Sequence, residues 1–187
     1  MLEKLPAAVG HALSGTRAGT DALTLHRIEA PSAIVVTSPA FEADAALPAR
    51  FTADGKGISP PLRWTGVPAG TRSVVLLVED ADSPTPKPLV HAIVHDLPGA
   101  DGGLAEGAMT GPAGEGGAEM GRNSFLRSGW LPPDPPTGHG PHRYVFQVYA
   151  LDIAQPPATA PGRGDLVGMM TGHVLAKGAL TAVFERP

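Results

Sequence analysis

Cysteine is absent from the 187 residues, which excludes disulfides, thiol catalysis and thiolate metal ligands. Charged residues make up only 17% and aromatic ones 5%. The net charge of −4 comes with scattered Lys and Arg and no basic stripe, so nucleic acid is not an expected partner. No run approaches the ~20 apolar residues of a membrane span. The opening Met1-Leu2-Glu3-Lys4-Leu5-Pro6 has an early acid and a proline, with no unbroken apolar stretch before Gly10-His11. That does not read as a secretory leader, and the expectation is a soluble, cytoplasmic protein.

What is abundant is glycine (24) and proline (21), with hydrophobic residues at 42%. Turns and irregular connections must then occupy much of the chain, against a helical bundle and for a β-rich fold. The length suits one domain with its own core. Residues 2–17 carry Leu2, Leu5, Val9, Ala12 and Leu13 near helical spacing, which predicts a short amphipathic helix closed by Gly15 and Gly19. We expect residues 1–29 to be an N-terminal helical extension and residues 30–187 to form the domain proper.

Within that domain, Ile34 to Thr37 reads as a strand, and residues 47–63 as mostly loop with brief extended pieces. Ser73 to Val78 is apolar on both alternating faces, the pattern of a central buried strand, and runs directly into Asp80. Leu89 to Leu97 is the next strand, and strict alternation puts His91, Ile93 and His95 on one face. His91 and His95 are then ~13 Å apart, too far to share a ligand. Residues 98–121 are a glycine-rich loop without the Gly-Lys-Ser/Thr of a phosphate-binding loop. Trp130 to Pro141, dense in proline, is a stiff wall rather than a ladder strand. Arg143 to Leu151 is the strongest strand in the chain. After a proline-rich connection at 156–161, Asp165 is placed to cap a helix carrying Leu166, Met170 and Val174 on one side, with Met169 and His173 beside them. Ala179 to Phe184 predicts a short final strand.

The chemistry concentrates at strand ends. Asp80-Ala81-Asp82-Ser83-Pro84 closes one strand, His91 sits in the next, and His142-Arg143-Tyr144 opens a third. Carboxylate, imidazole and phenol gathered there make a small polar pocket, able to hold an anion or move a proton. Arg143 could be a further anion donor, but it alternates away from Tyr144, which favours a structural pairing with Asp82 as the candidate partner. Trp64 reads as core. Only His139 and His142 are close enough in sequence to suggest a metal, and without cysteine or a helical histidine pair neither metal nor cofactor is expected.

Residues 33–187 resemble the phosphatidylethanolamine-binding protein family, and most closely its bacterial, Raf-kinase-inhibitor-like branch. The matching segments are Ser59-Pro60-Pro61-Leu62-Arg63-Trp64, Gly66-Val67-Pro68-Ala69-Gly70-Thr71, the Asp80–Pro84 motif, and His91 followed by Asp96-Leu97-Pro98. Pro135-Pro136, His142-Arg143-Tyr144 and Gly172-His173-Val174-Leu175-Ala176 complete them in the family's order. The resemblance implies a mainly β fold, an antiparallel β-sandwich with a few peripheral helices. It also implies one pocket for anionic, typically phosphate-bearing groups, formed by Asp80, Pro84, His91, His142 and Tyr144. The chain departs from the family in Ala81 and Ser83, which stand where Pro and Ala are usual. It departs again at Trp130-Leu131-Pro132-Pro133, where bacterial relatives usually carry a Tyr-Gly-Gly-Pro-type wall.

The functional expectation is a small anion- or phosphate-group-binding protein, able to regulate or inhibit another protein. The alternative is a hydrolase or transferase using His91 or His142 as general base with Asp80 as its orienter. No Gly-x-Ser-x-Gly elbow or His-Glu-x-x-His motif supports the alternative. A homodimer is expected if the apolar face of residues 2–17 is covered by a second copy, the other outcome being that it packs on its own domain.

Overall fold

The computed structural model describes residues 7–111, 119–154 and 160–186. Eight strands form two antiparallel sheets among these residues. They are β1 (Val35–Thr37), β2 (Leu62–Thr65), β3 (Ser73–Asp80), β4 (Leu89–Pro98), β5 (Gly102–Leu104), β6 (Glu119–Met120), β7 (His142–Leu151) and β8 (Val174–Phe184). The smaller sheet runs β1-β2-β5 and the larger β6-β4-β3-β7-β8. Three short helices, α1 (Ala7–Leu13), α2 (Thr24–Arg27) and α3 (Arg163–Met170), stand outside the sheets. This is the β-sandwich with peripheral helices that the resemblance implies.

β3 shows why the larger sheet is central. Its eight residues are all buried, with Val74, Leu76 and Val78 in the core between the sheets and Val75 and Leu77 in a second core behind. Period-two alternation sends apolar side chains both ways, so both faces must be covered. The smaller sheet covers one face through Val36, Leu62, Trp64 and Leu104. α3 covers the other with Leu166 and Met170, joined by Ile28 from the N-terminal segment. Trp64 is 2% exposed and donates its indole N–H to the carbonyl of Ala100.

Four expectations shift in detail. The final strand is longer than Ala179 to Phe184, because β8 pairs along the whole of β7 from Val174. Val174 and His173 therefore lie beyond α3, which ends at Met170. Asp165 caps that helix from its third position: Gly162 is the N-cap residue and its N–H donates to Oδ2 of Asp165 at 3.2 Å. Part of the loop expected at 98–121 is strand, since Gly102–Leu104 pairs with β2 and Glu119–Met120 with β4. Leu2 and Leu5 of the expected first helix lie outside the described residues, as do 112–118 of the glycine-rich stretch and 155–159 of the proline-rich connection.

The N-terminal segment is sewn to its own domain. Gly10 is buried against the 137–139 turn, where any Cβ at that position would collide with the carbonyl of Thr137. Ala18 N–H donates to Ser83 O at 3.0 Å and Gly19 N–H to Ala81 O at 2.8 Å. Leu23 packs into a small cluster with Ala81 and Val145. No helix among the described residues is long and apolar enough to cross a membrane.

Candidate functional site

The ends of β3, β4 and β7 meet at one corner of the larger sheet, and a β-bulge decides what β4 contributes there. Val78 pairs with Ala92 and Glu79 with Val90, leaving His91 as an unpaired extra residue. A bulge opposes two residues to one and breaks strict alternation. His91 consequently leaves the face of Ile93, which packs in the core behind the sheet. Its ring lies 5.0 Å from that of Tyr144, edge to face, and 6.0 Å from that of Trp130. The expectation of His91, Ile93 and His95 on one face fails for this reason. His95 is 1% exposed, away from the cavity described below.

The bulged residue is clamped by the proline-rich wall. Leu131 N–H donates to His91 O at 2.8 Å, and His91 Nδ1 donates to Leu131 O at 2.6 Å. That contact assigns the proton to Nδ1 and leaves Nε2 bare in the neutral ring. Burial pushes the His91 pKa below its ordinary value, against the pull of Asp80 and the Leu131 contact.

Asp80 is held by a turn and by a histidine. Its Oδ1 accepts the Asp82 N–H at 2.8 Å, and its Oδ2 lies 2.8 Å from Nδ1 of His142. The other nitrogen of His142 is also engaged, at 2.7 Å from Nδ1 of His139. His139 in turn donates from Nε2 to the carbonyls of Leu13 at 2.9 Å and Thr16 at 3.2 Å. A row of hydrogen bonds thus runs Asp80–His142–His139 and ends on the N-terminal segment. Asp82 faces the other way. It accepts from Arg143 N–H, Nε and Nη2 at 2.9, 2.7 and 2.7 Å, and Arg17 lies at 2.9 Å. Burial works against that carboxylate, but the bonds from Arg143 and Arg17 win and bring its pKa down to about 2.

Asp80, Pro84, His91, His142 and Tyr144 all line one cavity of about 430 Å³. The structure therefore brings together every residue singled out in the sequence as pocket-forming. Its walls are largely apolar, from Leu89, Phe125, Leu131, Pro132, Pro135 and Pro136, with Arg127 and Asp134 also lining it. Arg186 fixes Asp134 at 2.8 Å and donates to Pro135 O at 2.7 Å, pinning the wall to the end of the chain. Phe125, Arg127 and Asp134 were missed because they belong to loops with no periodic pattern. The sequence offers His139 only as half of a weak metal pair. Its flanking glycines were the available signal: Gly138 (φ 77°) and Gly140 (φ 95°) adopt left-handed backbone that aims the ring inward. Among the described residues no three acids or histidines are grouped to hold a metal ion.

Two polar atoms of cavity-lining residues are buried without a hydrogen-bond partner, Nε2 of His91 and Oη of Tyr144. Desolvation, helped by Asp80, pushes the Tyr144 pKa well above its ordinary value, so the phenol keeps its proton and can donate. Leaving such a group unmet costs about 1–3 kcal/mol. At the floor of the cavity the protein thus holds one unmet acceptor and one unmet donor, both closed to solvent. The ring of His142 stacks beside Tyr144 at 6.3 Å and presents no free nitrogen.

Comparison with known proteins finds relatives of the same fold. A UPF0098 protein of Aquifex aeolicus is 37% identical over 154 residues, covering 81% of this chain and 88% of its own. The crystal structure of Escherichia coli YbcL, described as a new member of the mammalian PEBP family, superposes with a TM-score of 0.76 at 32% identity, covering 83% of this chain and all 100% of that one. A PEBP homolog from Chlamydia trachomatis, CT736, gives 0.75 at 34% identity, with 83% of this chain and 99% of that one covered. The profile of the phosphatidylethanolamine-binding protein family matches residues 37–185, and the chain belongs to that family.

Proposed function

We propose that the chain is a non-enzymatic binding protein whose cavity takes a small ligand with a phosphate-type head and an apolar body. The observation that carries this reading is the pair of partnerless atoms, His91 Nε2 and Tyr144 Oη, in a cavity whose carboxylates are already bonded within the protein. A phosphomonoester monoanion fits them: its P–OH donates to the bare Nε2 and a phosphoryl oxygen accepts from the phenol. A fully ionised carboxylate lacks the proton that a neutral His91 requires. Arg127, exposed at the lining, supplies positive charge, while Pro84 shapes the cavity and Asp80 and His142 hold its floor.

Isothermal titration with phenyl phosphate and inorganic phosphate tests the reading. Saturable 1:1 binding, lost in Tyr144→Phe and His91→Gln, is expected, and heat-silent titration with both ligands refutes it. Affinity is expected to fall as pH rises above about 6, where the phosphomonoester loses its last proton. If the cavity also turns a ligand over, its base is His91, because both nitrogens of His142 are committed. Turnover of p-nitrophenyl phosphate abolished by His91→Gln is the result that would establish it.

Regulation of a protein target and a homodimer belong to the same proposal as its outer layer. The large apolar side chain that α1 leaves to solvent is Val9, 38% exposed, beside exposed Ala7, Ala8 and Ala12, while Gly10 packs inward. Light scattering on the full chain, with a mass of one chain or two, decides the dimer.

A further inference from the structure

We propose that His139 is a positioning residue of the cavity: it occupies Nε2 of His142 and so keeps that ring from bonding the ligand. The inference rests on reading the cavity as the ligand site, and it assigns the ligand's hydrogen bonds to His91 and Tyr144 alone.

Proton counting supports it. The row Asp80–His142–His139–Leu13 O contains three hydrogen bonds, at 2.8, 2.7 and 2.9 Å. Three hydrogen bonds need three protons, and two neutral imidazoles carry two. The row is complete only while it holds one more. His139 must donate from Nε2, because its partners there are carbonyl oxygens. Burial, with His142 and Arg17 nearby, pushes the His139 pKa down and favours its neutral ring. Its Nδ1 is then an acceptor, and the proton between the rings belongs to His142, whose Nδ1 proton goes to Asp80. The extra proton resides on the His142–Asp80 side, with both edges of His142 tied.

The surroundings hold this assignment in place. Arg17 donates to Pro141 O at 2.8 Å and His139 O at 3.2 Å, bracketing the turn. Its charge is balanced by Asp82, itself bonded to Arg143. His11 of α1 lies against Gly138, and His91 and Tyr144 face the row from the cavity side. His139 is 1% exposed, so water does not substitute for it.

Imidazole nitrogen NMR on the full-length chain, paired with phenyl phosphate calorimetry between pH 6 and 8, tests the inference. In the wild type, His142 is expected to show bonded, slowly exchanging protons on both ring nitrogens. Phenyl phosphate affinity is expected to fall about tenfold per pH unit, the slope of one proton. His139→Leu frees Nε2: the second slowly exchanging proton disappears and the slope departs from that of one proton as His142 joins the ligand. His139→Gln, with an acceptor toward His142 and a donor toward Leu13, restores both readouts. Unchanged His142 spectra and slope in His139→Leu overturn the proposal. If that variant does not fold, the wild-type spectrum decides alone, and an Nε2 of His142 in free exchange with solvent overturns it. Absence of phenyl phosphate binding to the wild type defeats the functional reading, and the ring spectra still decide whether His139 holds His142.

Discussion

Glu79 and Asp80, adjacent at the end of β3, send their carboxylates to opposite faces of the larger sheet. Glu79 is fully buried, 2.6 Å from Nε of Arg163, and accepts the Thr24 N–H and Gln147 Nε2, each at 2.8 Å. Gln147 in turn accepts the Tyr149 hydroxyl at 2.6 Å. One acid ties α2 and α3 to the back of the sheet, and its neighbour builds the cavity on the front.

Removing the first acid is expected to cost stability without touching the site. Glu79→Ala strands the Arg163 guanidinium and the Gln147 amide in a buried setting, a loss of about 3–5 kcal/mol. Urea unfolding monitored by tryptophan fluorescence measures it. A change below about 1 kcal/mol would show that water replaces the carboxylate freely.

Acid sensitivity should arrive in two stages. The folded-state pKa of His91 lies below its ordinary 6.5, so the unfolded chain binds more protons there and stability declines as pH falls from 6.5 toward the folded value. Asp82 is lowered from 3.8 to about 2, so its contribution is intact above 3.8 and is lost as pH falls toward 2. Thermal melts from pH 8 to 2 should show a shallower upper stage in His91→Gln and a reduced lower stage in Asp82→Asn. A variant whose profile merely shifts downward in parallel would assign the effect to packing.

Phe125 is 54% exposed at the cavity lining. Phe125→Ala is expected to weaken phenyl phosphate about three- to tenfold through lost apolar contact, leaving inorganic phosphate unchanged. Equal losses for both probes would mean that the loop shapes the head-group position instead.

Gly10→Val drives a side chain into the Thr137 carbonyl and is expected to lift α1 from the 137–139 turn. Hydrogen exchange should then accelerate across residues 7–19 and at His139, with the centre of the larger sheet unaffected. Unaltered exchange at His139 would show that the turn keeps its form without α1.

Much of this was legible because it follows alternation. β3, β4 and β7 are long runs whose apolar pattern states which faces are covered, and Arg143 pairs with Asp82 because it alternates away from Tyr144. The placement of His91 was not legible, because a bulge is set by pairing to a partner strand and leaves no mark in composition. The engagement of His142 by His139 was hidden for a similar reason. The spacing of three was visible, but the turn that joins the rings depends on backbone angles at Gly138 and Gly140.

The N-terminal segment reaches His139 through carbonyl oxygens of Leu13 and Thr16, not through their side chains. Every residue type carries that oxygen. Residues 13 and 16 can therefore change identity while the contact survives, and sequence comparison will not register it. The family profile begins at residue 37, so two proteins that match along its whole length can still differ in whether anything holds the outer end of this hydrogen-bonded row.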